Sequence, residues 1–372
     1  MPPGLQSANV SNLINGLWSA GHELIVYTLD TSANRDLEFL GNRITVCYSN
    51  YRKHYRIFDF FRSERHALQR QMKRHPSDIL HAHWSYEFAL AALHVNPNSI
   101  VTLHDWAPAI LKLMPNYYRL GRLFMHLQAT RKARHLLTNS EYMHHSMRQL
   151  HRKFIAVIPN PLAPPKNSTS KEVGKIVAVN NGFDQRKNVQ SLLIAFCEHL
   201  ATHGNYSLHL IGHGYEPAGQ AYRWAKDQRL SLDRVHFIGP LKYDLTLGEI
   251  ATSELLVHPS REESFGNVLA EAMLRKTAVI GGKSSGAVPE VLDHGRAGIL
   301  VDINAPGEIA ASISSLMDDR KLLGELQERG CTFATKTFHP DVIARSHLAV
   351  YREVMSTNRC NPKKFSRKSE CM

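Results

Sequence analysis

The stretch Ser253–Met273 reads SELLVHPSREESFGNVLAEAM and places a strand, a loop and a helix in succession. Residues 255–258 form an apolar run that predicts a buried strand. Residues 259–266 predict a loop, and a helix is predicted after it from the spacing of its apolar residues, Val268, Leu269, Ala272 and Met273. Ligands of open parallel α/β sheets bind beyond the carboxyl ends of the strands, so this loop predicts a binding site.

The junction between this loop and its helix has the chemistry of a phosphate site. Backbone N–H groups at a helix start favour an anion, and Gly266 has no Cβ to keep a phosphate away. Glu263 and Glu271 add carboxylates, which accept strong hydrogen bonds from sugar or ribose hydroxyls. With the loop folded back over the helix start, both carboxylates can face one ligand. Taken alone, each glutamate is better explained as a solvated surface charge.

Short apolar runs alternate with amphipathic helical patterns along the whole chain, which is typical of parallel α/β folds. Strands are predicted at 23–28, 43–48, 78–83, 100–104, 154–158, 175–179, 207–211, 235–238, 255–258, 277–281 and 298–301. Four prolines within residues 159–165 predict a semi-rigid linker. We therefore expect an N-terminal domain at 1–162, a C-terminal domain at 163–339, a last helix at about 340–356 and a disordered basic tail at 357–372.

The start of the chain departs from this pattern. Residues 4–21 predict a loop and an amphipathic helix, with Val10, Leu13, Ile14 and Leu17 on one face, before the first strand. A doubly wound domain usually begins with a strand that becomes central in its sheet. That first N-terminal strand is missing here, so we expect about ten or more residues encoding an apolar strand upstream of Met1.

Composition sets further bounds. A length of 372 residues suggests two domains. No apolar run approaches the roughly 20 residues that span a bilayer, and the N-terminus lacks a signal-peptide pattern. Five scattered cysteines fit a reducing compartment. These features predict a cytoplasmic protein.

The net charge of +12 lies in the first half of the chain and in its C-terminal tail. Residues 1–165 carry +9, residues 166–357 carry −1 and residues 358–372 carry +4. The segment Arg52–Arg74 holds eight Lys and Arg residues among aromatics. It fits either an anionic membrane surface, at the inner face of the plasma membrane, or an exposed helix whose aromatics pack into the core. No RNA- or DNA-binding motif is present, so nucleic acid is not an expected partner.

Several motifs together resemble the donor site of a known family. They are Glu263-x7-Glu271 with Ser-Phe-Gly inside it, LIGHG at 210–214, AVIGG at 278–282, SGAVPEV at 285–291 and GILVD at 298–302. This set resembles the large family 4 of retaining glycosyltransferases (group 1), which includes bacterial polysaccharide and lipopolysaccharide enzymes. The resemblance is specific from about 174 to 302 and weaker upstream. It implies a GT-B fold, in which two Rossmann-like domains with parallel sheets face a central cleft.

The resemblance also implies roles for matching residues. Glu271 would bind the ribose, Glu263 the donor sugar, and the backbone of Ser264, Phe265, Gly266, Asn267 and Val268 the sugar and phosphate. Ile238 would border the base, Gly4 would lie near the phosphates, and His104 would approach the sugar from the opposing domain. Lys187 matches the phosphate-binding lysine. The family usually has an arginine after the preceding strand, where this chain has Asn180-Asn181, so either Arg186 substitutes or a cation is missing.

The implied activity is retaining transfer of a hexose-type sugar from a UDP- or GDP-linked donor to a glycan or lipid-linked acceptor. The diphosphate would leave from the front face, with neither a metal nor a cofactor. A GT-B sugar-nucleotide epimerase and an inactive or truncated member acting as a partner subunit are the alternatives. His81-x-His83 could suggest a metal site, although two core or acceptor-pocket histidines fit it better.

Overall fold

A computed structural model of the chain describes residues 8–148, 155–200 and 206–359. The chain divides into two compact units. Unit 1 takes in residues 1–139, 144–161 and 340–372, and unit 2 takes in residues 140–143 and 162–339. The change of unit at Leu162 lies inside the proline-rich stretch in which the sequence predicts a linker. The final helix belongs to unit 1.

The described helices and strands alternate along the chain. The α-helices are α1 Ala8–Ser19, α2 Arg62–Arg74, α3 Glu87–Val95, α4 Ala107–Leu113, α5 Tyr117–Lys132, α6 Glu141–Arg148, α7 Val189–Ile194, α8 Gln220–Asp227, α9 Tyr243–Thr252, α10 Asn267–Met273, α11 Val288–Val291, α12 Pro306–Asp318, α13 Arg320–Phe338 and α14 Pro340–Arg359. A π-helix, Ala195–Leu200, continues α7. The strands are β1 Leu24–Asp30, β2 Leu37–Gly41, β3 Ile44–Asn50, β4 His81–His83, β5 Ile100–Leu103, β6 His135–Thr138, β7 Ile155–Val157, β8 Glu172–Val179, β9 Ser207–Ile211, β10 Val235–Gly239, β11 Ser253–His258, β12 Ala278–Gly282 and β13 Ile299–Val301.

Unit 2 is built on one sheet of six parallel strands, in the order β10-β9-β8-β11-β12-β13. Every residue of β11 and β12 is buried. Successive side chains of β11 join different hydrophobic clusters: Leu255 and Val257 belong to one, and Leu256 to the other. Because side chains alternate between the faces of a strand, both faces of this sheet are covered. The continuous apolar runs in the sequence have this origin.

Unit 1 contains two separate sheets. One has three strands in the order β1-β3-β2, and the other has four parallel strands in the order β4-β5-β6-β7. β2 pairs with β3 in the antiparallel direction, so the expectation of purely parallel strands is wrong at this point. The sequence patterns also missed β2 and β6. β2 is only half covered, and its exposed end lacks the apolar run that marks a buried strand.

The amphipathic helix predicted near the N-terminus is α1, which packs on α14. Leu13 and Leu17 of α1 form a cluster with Ala344 of α14. A Cβ at Gly16 would lie 2.9 Å from the carbonyl oxygen of Pro340, so the two helices approach with no side chain between them. α14 continues to Arg359, and the disordered tail predicted from residue 357 is therefore helical at its start. Residues 360–372 lie outside the described part of the chain.

Candidate active site

The candidate site lies at one edge of the unit 2 sheet, where three neighbouring strands end. β8, β11 and β12 are consecutive in the sheet and parallel, so their carboxyl ends lie side by side at strand spacings of about 4.8 Å. The loop 180–188 follows β8, the loop 259–266 follows β11, and residues 283–287 follow β12. The sequence predicted a ligand site at this edge from the second of these loops alone.

Glu263 is the most constrained acidic group of the site. Its Oε1 accepts a hydrogen bond from Lys187 Nζ at 2.6 Å and lies 3.2 Å from His258 Nε2. Burial opposes the charged form, but the Lys187 charge and the His258 hydrogen bond outweigh it and hold the pKa of Glu263 well below its usual range. The carboxylate is therefore ionised and largely buried, with 14% of its side chain exposed, and it can accept further hydrogen bonds from hydroxyl groups.

Backbone contacts from two other loops fix Glu263 in place. Its carbonyl oxygen accepts a hydrogen bond from the N–H of Ala287 at 2.9 Å. Gly286 has a φ of +61°, and a Cβ there would lie 2.3 Å from the same oxygen. On the other side, the N–H of Arg261 donates to the carbonyl of Arg186 at 2.8 Å. The Ser-Gly-Ala motif after β12 thus acts by positioning the glutamate.

Glu271 lies in the helix that follows the loop and is buried. The Tyr243 hydroxyl donates to its Oε1 at 2.7 Å. Burial raises the pKa of Glu271, and the Tyr243 hydrogen bond offsets part of that rise. The two glutamates thus differ in environment: Glu263 is held ionised by a cation, and Glu271 is balanced by a neutral hydroxyl. No sequence pattern pointed to Tyr243 as a partner of Glu271, because the two residues are 28 positions apart.

The residues between the two glutamates take the predicted turn into a helix. Gly266 precedes α10 with a φ of +85°, which favours glycine, and a Cβ there would lie 2.9 Å from Leu269 Cδ1. The Phe265 ring packs edge-on against Phe338 at 5.3 Å between centroids, so the ring belongs to the core. The carbonyl of Ser264 accepts from Ser140 Oγ at 2.6 Å. Asn267 and Val268 are half-buried in the first turn of α10, which has only seven residues.

The loop after β8 brings the two predicted cations to the site. Lys187 is buried and bound to Glu263, whereas the sequence predicted its contact with phosphate only. Among the described residues Arg186 forms no ion pair, and its buried Nε has no hydrogen-bond partner. The backbone of this loop touches the next one, because a Cβ at Gly212 would lie 1.7 Å from the carbonyl oxygen of Asn180. Only glycine fits there.

Three buried polar groups that sequence reasoning missed lie at the ends of the three central strands. The side-chain amide of Asn180 follows β8, Nδ1 of His258 ends β11, and the hydroxyl of Ser285 follows β12. None of these atoms has a hydrogen-bond partner in the described part of the chain. Buried polar groups in folded proteins are nearly always paired, so this edge of the sheet has the properties of a polar ligand site. A polar residue that ends an apolar strand was the available signal for His258.

The remaining predicted residues lie elsewhere. Ile238 is in β10, the edge strand, and packs on the cluster that contains Phe265. Gly4 lies outside the described residues. His104 follows β5 in unit 1, where its Nε2 is 2.9 Å from Nδ1 of His83. Burial lowers the pKa of His104 to about 3, so it is neutral at pH 7.

The His81-x-His83 pair also belongs to unit 1. Nδ1 of His81 is 2.7 Å from the hydroxyl of Tyr351, and its Nε2 is 2.7 Å from Thr102 Oγ1. Both ring nitrogens of His81 therefore have protein partners. In the part of the chain that the structure describes, no three His, Cys, Asp or Glu side chains converge as metal ligands would.

Comparison with known proteins agrees with this arrangement. Residues 7–164 match the family model described as "Glycosyltransferase Family 4", and residues 174–319 match the one described as "Glycosyl transferases group 1". The chain belongs to the family 4 glycosyltransferases. The second match contains the whole candidate donor site, from Asn180 to Ser285.

The curated relatives of the chain carry different names. N-acetyl-alpha-D-glucosaminyl L-malate synthase of Bacillus anthracis is 30% identical over 188 residues, which are 50% of this chain and 48% of that enzyme. The chain thus matches about half the length of that relative. A lipopolysaccharide core biosynthesis glycosyltransferase of Rhizobium meliloti is 27% identical over 261 residues, 66% of this chain and 74% of that protein.

Solved structures establish the fold of the glycosyltransferase as GT-B. Sucrose-phosphate synthase of Thermosynechococcus elongatus superimposes with a TM-score of 0.78 at 18% identity, covering 95% of this chain and 94% of that one. An Anabaena protein crystallised with UDP and glucose gives a TM-score of 0.66 at 19% identity, covering 83% and 86%.

Proposed function

We propose that this glycosyltransferase moves a hexose-type sugar from a UDP- or GDP-linked donor to a glycan or lipid-linked acceptor, with retention of configuration and without a metal. The observation that carries the proposal is the largely buried, ionised Glu263 beside Lys187, at the edge of the sheet where three strands end. The Rhizobium meliloti relative, named for lipopolysaccharide core biosynthesis, supports a role in cell-surface polysaccharide or lipopolysaccharide synthesis. The Anabaena structure with UDP and glucose supports a uridine donor.

Charge neutralisation of the leaving diphosphate is assigned to the loop after β8. An ammonium group has three N–H donors, and Glu263 uses one from Lys187. Arg186 forms no ion pair among the described residues, although its charge favours the ionised form of Glu262, and it adds a second cation. Negative charge on the diphosphate grows as the glycosidic bond breaks, so cations placed there stabilise the transition state more than the ground state. Arg186 thereby replaces the arginine that the family usually carries after the strand.

Retention is assigned to front-face departure of the diphosphate, because Glu263 is a poor nucleophile. A carboxylate bound by an ammonium at 2.6 Å and held at a low pKa has its charge already engaged. Such a group suits hydrogen bonding to sugar hydroxyls. Glu271, with Ile238 at the edge strand, is assigned to the nucleoside.

Product analysis tests this proposal. The purified chain is incubated with UDP- and GDP-hexoses, with and without polysaccharide and polyprenyl-phosphate acceptors, and the products are analysed by mass spectrometry and NMR. We expect acceptor-dependent transfer that keeps the anomeric configuration of the donor. Glu271→Ala should weaken donor binding at least tenfold, while the exposed Glu308→Ala serves as its control. A new nucleotide sugar formed without any acceptor would instead identify an epimerase, and tight donor binding without turnover would identify an inactive partner subunit.

We further propose that unit 1 binds an anionic membrane surface through an exposed aromatic patch. The patch consists of Tyr55, Phe58, Phe60, Tyr117, Leu120 and Phe124, all of which are exposed. The rings of Phe60 and Phe124 lie 5.2 Å apart, which joins the loop before α2 to one face of α5. Three exposed cations lie on this and neighbouring segments: Lys53 in the loop before α2, Arg62 at the start of α2 and Lys112 in α4. Within the described residues, no helix is long and apolar enough to cross a bilayer.

The patch differs from the surface expected from sequence. Three cations of the 52–74 segment are paired: Arg52 with Glu64, Arg70 with Asp36 and Arg74 with Glu38. Of its four aromatics only Phe61 turns inward, as the alternative interpretation held for all of them, and the other three are exposed. These three exposed aromatics are joined by three side chains from α5, which the sequence did not connect with them.

Vesicle sedimentation tests the membrane proposal. Leu120→Ser should reduce binding to phosphatidylglycerol-containing vesicles severalfold, because it removes apolar area from the patch. Leu245→Ser is the matched control, since Leu245 is 58% exposed in unit 2 and Leu120 is 55% exposed. Equal binding by the two variants would count against the patch, and equal binding to purely zwitterionic vesicles would count against its cations.

A further inference from the structure

His258 is a buried polar residue at the end of an apolar strand. It is the last residue of β11, and 2% of its surface is exposed. Among the described residues its side chain makes one hydrogen bond, from Nε2 to Oε1 of Glu263 at 3.2 Å, while the buried Nδ1 has no partner. Burying an imidazole with one nitrogen unmatched costs free energy that an aliphatic side chain would not. The presence of a histidine here is therefore explained by its contact with Glu263.

The contact between the two residues also fixes where the imidazole carries a proton. An ionised carboxylate has acceptor oxygens and no donor, so the hydrogen bond requires a proton on Nε2. The Nε2–H of His258 thus donates to Glu263, and Nδ1 takes no part in the bond.

The two oxygens of the Glu263 carboxylate have different surroundings. Oε1 accepts from Lys187 Nζ at 2.6 Å and from His258 at 3.2 Å, which uses the roughly two lone pairs of that oxygen. No group among the described residues donates to Oε2, and Oε2 is not one of their buried unpaired atoms. The exposed 14% of the Glu263 side chain therefore includes Oε2.

Lys187 alone would not fix the orientation of this carboxylate. An ammonium group is a point charge on a flexible stem, so it can follow either oxygen as the carboxylate rotates. The imidazole of His258 is a rigid ring on a buried strand, and its N–H has one direction. The contacts of Ala287 and Gly286 hold the main-chain carbonyl of Glu263, not its carboxylate. His258 is thus the group that can set the angle of the carboxylate.

We propose that His258 is a positioning residue for the donor sugar. Its Nε2–H keeps Oε1 of Glu263 beside Lys187, so that Oε2 accepts a hydrogen bond from one hydroxyl of the sugar. A site built to bind a substrate hydroxyl in this way discriminates strongly against the analogue that lacks it. His258 therefore contributes to the choice of sugar without touching it. The inference rests on the proposed donor site.

Two amide substitutions at His258 test the proposal. His258→Gln can place an amide N–H near the position of Nε2, whereas the shorter His258→Asn places it near Nδ1, out of reach of Glu263. We expect His258→Asn and His258→Leu to lower kcat/KM for the nucleotide-sugar donor by about tenfold or more, as for the loss of a hydrogen bond to a charged group. His258→Gln should recover most of that loss. Binding of UDP or GDP without the sugar should be the same in all three variants.

Monodeoxy donor sugars distinguish positioning from a general loss of structure. In the wild type, the donor that lacks the hydroxyl bound by Oε2 should react about tenfold or more slowly than the parent donor. In His258→Leu this penalty should shrink severalfold, because the carboxylate is no longer held in one orientation. His258→Gln should retain the penalty of the wild type.

His209→Leu is the matched control. His209 lies in β9 of the same sheet, 18% of its side chain is exposed, and its Nδ1 is 3.7 Å from Oε2 of Glu249. It is likewise a largely buried histidine beside a glutamate, but it lies within its strand, so donor kinetics should not change.

Several results would overturn the positioning role. They are wild-type kinetics in His258→Leu, equal losses in His258→Leu and His209→Leu, equal behaviour of the two amide variants, and a deoxy penalty in His258→Leu as large as in the wild type. A wild-type chain that binds no nucleotide sugar would instead contradict the proposed function, and this inference with it.

Discussion

The strand-end site of unit 2 and the histidine cluster of unit 1 hold their polar groups in different ways. In unit 2 the largely buried carboxylate of Glu263 keeps its charge because Lys187 lies 2.6 Å away. Unit 1 has ion pairs elsewhere, Arg52 with Glu64 and Arg122 with Glu87. In its histidine cluster the His81 and His83 rings lie 4.4 Å apart, and among the described residues no carboxylate is hydrogen-bonded to either. A charge is retained inside a protein when an opposite charge meets it, and it is otherwise lost by a pKa shift. The site of unit 2 is therefore charged, and the histidine cluster of unit 1 is neutral.

The largest expected effect comes from breaking the charged pair of unit 2. Lys187→Met should slow sugar transfer more than tenfold and reduce the free energy of unfolding by about 3–5 kcal/mol, because the largely buried Glu263 loses its cation and keeps only the neighbouring His258. Urea unfolding and initial-rate assays measure the two effects.

A second substitution separates stability from catalysis in that pair. Lys187→Met/Glu263→Gln should recover much of the stability but none of the activity. Lys283→Met is the control, because its pair with Glu308 is exposed and long, at 3.4 Å, and should contribute less than about 1 kcal/mol. A double variant as active as the wild type would refute the roles of both residues.

A smaller effect is expected from the backbone that holds Glu263. Gly286→Ala combines a positive φ with a Cβ 2.3 Å from the Glu263 carbonyl, so it should cost about 1–3 kcal/mol and weaken donor binding. Gly307→Ala is the matched control within a helix, since a Cβ there meets nothing within 4 Å. It should leave stability unchanged or raise it by up to about 1 kcal/mol. If both variants bind donor like the wild type, the motif after β12 does not position the glutamate.

The smallest expected effect concerns the pH dependence of unit 1. Burial lowers the pKa of His347 to about 4, and it also lowers the pKa values of His81 and His83 well below the usual range. An unfolded histidine titrates near 6.5, so between about pH 6.5 and 4 the unfolded chain binds more protons. The free energy of unfolding should therefore fall as the pH falls through this window, by roughly 1.4 kcal/mol per pH unit for each such histidine.

Removing one histidine checks this dependence. His347→Phe keeps a ring against His81 and Tyr351 but cannot titrate. Denaturant unfolding at pH 7, 6 and 5 should show that the free energy of unfolding depends less steeply on pH in the variant. The difference in slope should correspond to about one proton fewer bound on unfolding. The low pKa of Glu263 places its own loss of stabilisation at more acidic pH. Identical slopes in variant and wild type would show that His347 is not buried as described.

Sequence reasoning reached the α/β fold and the GT-B family, because covered parallel strands leave apolar runs and the loop after β11 has a distinctive pattern. The β9 range was predicted to the residue. β2 and β6 were not predicted. β2 is a half-covered antiparallel strand without a buried apolar run, and β6 has only Leu136 and Leu137 between two polar residues. The sequence pointed to Glu263, Glu271 and Lys187, but not to how they are held.

The partners of those residues could not be predicted for a physical reason. Tyr243, at the start of α9, and Gly286, in the loop after β12, reach the site on elements that only the folded sheet brings together. Tertiary contacts between distant segments carry no local periodicity, so they leave no trace in a single sequence.

The close approach at Gly212 has a consequence for comparing related sequences. The turns after β8 and β9 are in backbone contact there, and a Cβ added at Gly212 would lie 1.7 Å from the carbonyl oxygen of Asn180. In a homologue with a larger residue at position 212, the turn that leads to Lys187 of the candidate site must be displaced. Position 212 therefore indicates whether a distant relative can share this arrangement of cations, even where the lysine itself is hard to align.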